Sequence, residues 1–117
     1  IVFNKGFGVI ANDIDNKEYR IGRPRVYKKK NKYVMNFTYG TTDSRYFVGQ
    51  AESKDGVNWE RCDKEFNLHL SETGWDSRHL SYPNIFKTSR GKTYVFYNGN
   101  DMGREGFGYA ELLGDVS

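Results

Sequence analysis

The chain has 117 residues, a net charge of +3, 16% aromatic residues with nine Tyr and eight Phe, and a single cysteine. That length allows one domain or less, with a modest core, and the short apolar runs broken by Gly favour strands over helices. No run approaches the roughly 18 apolar residues that span a bilayer and none reads as a signal peptide, so no membrane partner is expected; Cys62 alone excludes an intrachain disulfide or a multi-cysteine metal site and fits a reducing, cytoplasmic setting.

The first segment, Lys5-Gly6-Phe7-Gly8-Val9-Ile10-Ala11, reads as a glycine-containing strand. The chain opens on Ile rather than Met, which leads us to expect upstream residues and a missing beginning to this first unit. Asn12 to Tyr19 would carry that unit's last turn and strand. Next comes Arg23-Pro24-Arg25-Val26-Tyr27-Lys28, an X-Pro strand, followed by a lysine-rich turn and the aromatic strand Asn31 to Gly40. Phe47-Val48-Gly49-Gln50-Ala51 repeats the glycine-containing strand. Lys54-Asp55-Gly56 then forms a tight turn, because Asp caps its own backbone and Gly accepts positive φ, and Val57 to Trp59 resumes the alternation.

The same order returns after a longer link through Trp75 and Arg78. Tyr82-Pro83-Asn84-Ile85-Phe86-Lys87 matches the first X-Pro strand, and Pro24 and Pro83, the only two prolines, stand 59 residues apart. An aromatic strand, Gly91 to Asn100, and a glycine-containing strand, Glu105 to Ala110, follow. Gly49 and Gly108 are again 59 residues apart, whereas Gly8 and Gly49 are 41 apart, so loop length varies between units. A repeat of roughly fifty residues with four antiparallel strands is the signature of a propeller blade. The expected fold is therefore all-β, with antiparallel four-stranded blades and about two blades present: residues 1–20 ending a preceding blade, 21–62 a full blade, 63–80 a link, and 81–117 most of a further blade. A β-sandwich with a chance duplication is the alternative. Two blades do not close a ring, so missing upstream blades or self-association is expected.

These residues carry a family resemblance over nearly the whole chain. Arg23-Pro24-x-Val26, Tyr33-x-Met35, Gly49-x-Ala51-x-Ser53-x-Asp55-Gly56-x-x-Trp59, Ser81-Tyr82-Pro83 and Tyr97-Asn98-Gly99-Asn100 resemble the later blades of five-bladed propeller glycosidases of the glycoside hydrolase family 43 and family 32 type. Ser53-x-Asp55-Gly56-x-x-Trp59 is also similar to the sialidase Asp-box, one residue shorter. The resemblance implies a carbohydrate partner, no cofactor, and catalytic carboxylates one or two positions before the proline of each blade's first strand, where an acid and a base flank the glycosidic bond. Those positions here are Gly22, Arg23, Ser81 and Tyr82, none of them a carboxylate. The isolated chain is therefore expected to be inactive, with any catalytic acids upstream.

The same positions suit binding. Arg23 offers a planar fork for a hydroxyl, carboxylate or phosphate, or else a surface ion pair. Tyr82 stacks on a sugar face or packs between blades; Arg78 and His79 precede that strand and add polar contacts, unless they make an ion pair and a solvated loop position. Glu18 and Asp76 are the carboxylates nearest in sequence to the X-Pro strands. Trp59 and Trp75 read as core. No metal-ligand spacing is found, since His69 and His79 have only Asp76 nearby. The basic stretch Lys28-Lys29-Lys30-Lys32 falls on a turn, so nucleic acid is not the expected partner, although an anionic polymer remains the minor reading. A non-catalytic glycan-binding or interaction propeller is the alternative to a glycosidase-like protein.

Overall fold

The computed structural model describes residues 1–113; the last four positions of the predicted final blade lie outside the described residues. Among the described residues, seven strands form two antiparallel meanders. The first sheet holds β1 (Glu18–Lys29), β2 (Lys32–Thr41), β3 (Tyr46–Ser53) and β4 (Glu60–Arg61) in the order β1-β2-β3-β4; the second holds β5 (Ser81–Lys87), β6 (Thr93–Asn98) and β7 (Phe107–Glu111) in the order β5-β6-β7. The fold is all-β, in antiparallel blade-like sheets of four and three strands, as the repeat predicts. Apart from two 3-10 turns, Ile14–Asn16 and Asp63–Glu65, the one helical turn among the described residues is Asn100–Gly103, with Asp101 and Met102 at left-handed φ of 55° and 58°.

Two expected elements differ. Lys5 to Ala11 forms no strand, because no neighbouring strand offers it a ladder, and it stays mostly exposed. Trp59 precedes β4 instead of lying within a strand: the chain spends 54–59 on a tight turn, and only Glu60 and Arg61 pair with β3. β1 also starts earlier than its proline motif suggests, because Glu18 already pairs with Thr41.

β2 is buried on both faces, and its period-two alternation divides the core. Met35 and Phe37, with Ala51, face one side, packed by Ile10, Ile21, Tyr39 and Trp59. Asn36 and Thr38 face the second sheet. Between the sheets lies a second cluster, Val48, Leu80, Val95 and Tyr97, backed by Trp75, Ile85 and Leu70. The sheets are stitched where Tyr46 bridges His79 in parallel and the Leu80 N–H donates to the Tyr46 carbonyl at 3.0 Å. This contact sets the two X-Pro strands side by side.

The far face of the second sheet is uncovered. Phe86, Phe96, Phe107 and Tyr109 are 41% to 75% exposed, and Tyr109 packs edge-on to Tyr94 and tilted against Phe96.

Candidate functional site

Both X-Pro motifs interrupt their strands in the same way. The β1–β2 register shifts between Gly22 and Arg25, and the β5–β6 register shifts between Ser81 and Asn84. At each shift the residue before proline takes a left-handed backbone, Arg23 at φ 55° and Tyr82 at φ 57°. The proline ring disfavours that conformation and favours an extended one, and a left-handed non-glycine residue costs about 1–3 kcal/mol. The same strain stands at the same place in two repeats, and in the second it is held by surrounding structure: Pro83 and Ser81 are fully buried, and the Tyr82 N–H donates to Thr38 Oγ1 at 2.8 Å.

The strain brings the two motifs together across the sheets. The Arg23 guanidinium lies over the Tyr82 ring, 4.5 Å from its centroid. Two residues further along each strand, Arg25 Nη2 donates to Asn84 Oδ1 at 2.5 Å. Residue pairs 23–82 and 25–84 thus repeat the 59-residue offset of the sequence. Between them opens a cavity of about 330 Å³ lined by Pro24, Arg25, Val26, Tyr27, Asn84 and Ile85. On the second-sheet face of β2 and β3 the polar residues Asn36, Thr38 and Gln50 are buried beside Val34 and Val48, and Asn36 Oδ1 and Ser81 Oγ find no hydrogen-bond partner among the described residues.

Arg78 and His79 lie at a different place. Arg78 Nη2 bonds Glu105 at 2.8 Å and Asp101 at 3.2 Å. His79 Nδ1 accepts from the Asp101 N–H at 2.7 Å, so its Nε2 donates to the Ser44 carbonyl at 2.7 Å. Both ring nitrogens are committed, and the ring sits edge-on to Tyr46 at 5.3 Å. Here His79 straps the β2–β3 turn to the turn after β6. Buried Asn100 anchors that strap: Oδ1 accepts from the N–H groups of Arg78 and His79 at 2.7 and 3.0 Å, and Nδ2 donates to the Gly74 carbonyl at 3.0 Å. Asp76 is buried and accepts from Tyr97 Oη at 2.7 Å, an interior contact apart from the X-Pro pair.

Sequence reasoning missed a charged layer on the other face of the first sheet. Arg61 forks onto Glu18 at 2.8 and 3.1 Å and reaches Asp63 at 2.6 Å, while its guanidinium plane lies about 5 Å from the Phe37 and Tyr39 rings. An open cleft of about 850 Å³ borders it, lined in part by Glu18, Tyr39, Phe47, Arg61 and Asp63. Glu18 and Asp63 are both ion-paired with Arg61, which suits them to a structural role. No spacing in the sequence signals this, since β1, β3 and β4 must pair before the three side chains meet.

Antiparallel pairing also gathers Glu52, Cys62 and Glu65, whose donor atoms lie within 4.8 Å of one another. Glu52 is already held by Lys32 at 2.8 Å. Burial pushes the Cys62 thiol up to about 11, so it stays protonated near neutral pH and is a poor metal ligand.

The Ser53–Trp59 turn is internally closed. Asp55 accepts from the N–H groups of Val57 and Asn58 at 2.9 and 2.8 Å and from Asn58 Nδ2 at 2.7 Å, and Trp59 Nε1 donates to the Gly56 carbonyl at 3.1 Å. These bonds, the Asn58 N–H first, hold the Asp55 carboxyl well below the ordinary aspartate value. The motif therefore builds a turn and keeps its carboxylate occupied.

No family model matches the sequence. Uncharacterized protein Rv1502 of Mycobacterium tuberculosis is 34% identical over 90 residues, covering 77% of this chain and 29% of the relative. The chain thus spans under a third of the length of the curated relatives it matches. Among solved structures, a glycoside hydrolase superposes with a TM-score of 0.73 at 19% identity, over 92% of this chain and 36% of that one. A protein from a BT0996 RGII complex gives a TM-score of 0.66 at 22% identity, over 87% and 35%. At such identities the likeness establishes the fold, which is that of glycoside hydrolase-like proteins.

Proposed function

We propose that the chain forms two adjacent blades of a glycosidase-type β-propeller, with a glycan-binding surface where Arg23-Pro24-Arg25 meets Tyr82-Pro83-Asn84. The observation that carries this reading is the paired backbone strain. Two repeats place a non-glycine residue before proline in a left-handed conformation, and the two strained residues touch. Backbone strain of this kind persists where surrounding structure over-determines it and gathers at ligand clamps, which supports reading the touching pair as a binding feature. Structural likeness to glycoside hydrolase-like proteins, which are about three times as long as the matched region, supports the propeller and the carbohydrate partner.

The positions before the two prolines hold no carboxylate, and the carboxylates Glu18 and Asp63 are tied to Arg61. Glycosidic cleavage needs an acid and a base on opposite sides of the scissile bond. Hydrolysis would therefore draw on residues from further blades, and family 43 or 32 type chemistry in a five-bladed ring is the form we assign to the whole protein. In this chain, Arg23 and Tyr82 bind and orient. The uncovered far face of the second sheet would be closed by a neighbouring blade or by a further copy.

A glycan array with the 117-residue chain tests the reading. Oligosaccharide binding is expected for the wild type and loss of signal for Tyr82→Ala, with no release of sugar. Absence of binding by wild type, or binding indifferent to Tyr82→Ala, overturns it.

A further inference from the structure

Four of the eight arginines, compared by what they touch, fall into two kinds, while Arg20, also without a carboxylate partner among the described residues, donates to Tyr46 Oη and lies over the Tyr19 ring. Arg61 is ion-paired with Glu18 and Asp63, and Arg78 with Asp101 and Glu105; each is a cation that the fold has neutralised for its own stability. Arg23 and Arg25 are exposed and have no carboxylate partner among the described residues. Their contacts are with neutral groups, the Tyr82 ring and the Asn84 amide. Stacking on an aromatic face fixes the guanidinium plane but consumes none of its in-plane N–H donors. Arg23 is thus held against the ring, with no hydrogen bond or ion pair of its side chain among the described residues. Arg25 spends one N–H on Asn84 and lines the cavity of about 330 Å³, a volume within the ordinary range for small-molecule sites.

A neutral sugar asks for a mixture of donors and acceptors, because each hydroxyl is both. This rim instead presents two cationic donor forks, one of them, Arg23, on strained backbone. The group that matches two unpaired forks is a planar oxyanion. Resting on the glycan-binding reading, we infer that the surface where the two motifs meet takes an acidic sugar, a uronate whose carboxylate is gripped by Arg23 and Arg25 while Tyr82 and Asn84, which touch them, hold the ring and its hydroxyls.

The test is titration calorimetry of the 117-residue chain with three tetrasaccharides: tetragalacturonate, the same molecule with its carboxyl groups reduced to alcohols, and neutral arabinotetraose. Wild type should bind tetragalacturonate on the order of tenfold to a hundredfold tighter than its reduced form, the range expected for charge-assisted hydrogen bonds. Arg23→Gln and Arg25→Gln should each remove that preference, Arg25→Lys should restore part of it, and Lys30→Gln on the exposed β1–β2 turn should leave it intact. Equal binding of the charged and reduced ligands overturns the acidic-sugar inference and leaves the glycan-binding reading standing. No binding of any of the three removes both. Equal weakening by Lys30→Gln and the arginine variants overturns the inference in favour of diffuse attraction between a basic protein and a polyanion.

Discussion

Tyr97 shows how a single side chain ties the link between the sheets to the core. Its ring stacks on Trp75 at 5.1 Å, and its hydroxyl donates to the buried Asp76 carboxylate at 2.7 Å. Burial, and then the bond to Asp76, raises the hydroxyl's pKa above the ordinary tyrosine value of 10.0. The unfolded chain therefore gives up this proton before the folded one does. The stabilising contribution is complete below about pH 10 and shrinks as the pH rises beyond it. Tyr97→Phe leaves the Asp76 carboxylate without that donor, which costs about 1–3 kcal/mol at pH 7. Urea unfolding at pH 7 and pH 11 measures this: the gap between wild type and Tyr97→Phe should narrow at the higher pH, and an unchanged gap would rule out the assignment.

At the scale of elements, the repeated glycine has a packing reason. A Cβ on Gly49 would lie 2.5 Å from the Phe37 ring, and a Cβ on Gly108 would lie 2.5 Å from the Trp75 ring. In each sheet the third strand gives up a side chain so that an aromatic ring can lie flat on its backbone. Gly8, in the segment that reads as a third copy, has nothing within 4 Å of such a Cβ. The motif was thus legible at all three places, but only two find a ring and a neighbouring strand. Overpacking a core typically costs about 1–3 kcal/mol, so Gly108→Ala should lower stability by that amount. Gly22→Ala, where the Cβ meets open space, should stay within about 0.5 kcal/mol. Thermal melts of the two variants compare them directly, and similar melting temperatures would remove the packing explanation. The Ser53–Trp59 turn is equally readable in sequence, because Asp55 and the Trp59 indole N–H find their hydrogen bonds within it.

At the scale of the molecule, the uncovered aromatic face of the second sheet governs behaviour in solution. Phe96 and Phe107 on the uncovered face of an antiparallel sheet form an apolar surface of the kind that associates. The isolated 117-residue protein should show concentration-dependent association in sedimentation experiments, and Phe96→Lys with Tyr109→Lys should reduce it. A wild type that stays monomeric up to high micromolar concentration would show that this face tolerates water.

The sequence by itself determined most of the strands, their antiparallel order and the 59-residue repeat, because alternation, turn residues and X-Pro signals are local properties of the polypeptide, though not the fate of Lys5 to Ala11 or the place of Trp59. It also singled out Arg23 and Tyr82, since both precede the only prolines. Only the tertiary structure decided what those two residues touch. Whether Arg23 finds a carboxylate or an aromatic face depends on how two sheets dock through Tyr46, His79 and Leu80, and that docking is written in no single segment. The same holds for the Glu18–Arg61–Asp63 layer and for Arg78 and His79, whose neighbours come from turns more than twenty residues away. Local propensity fixes elements; long-range packing of side chains fixes which charges are neutralised and which are left to meet a ligand.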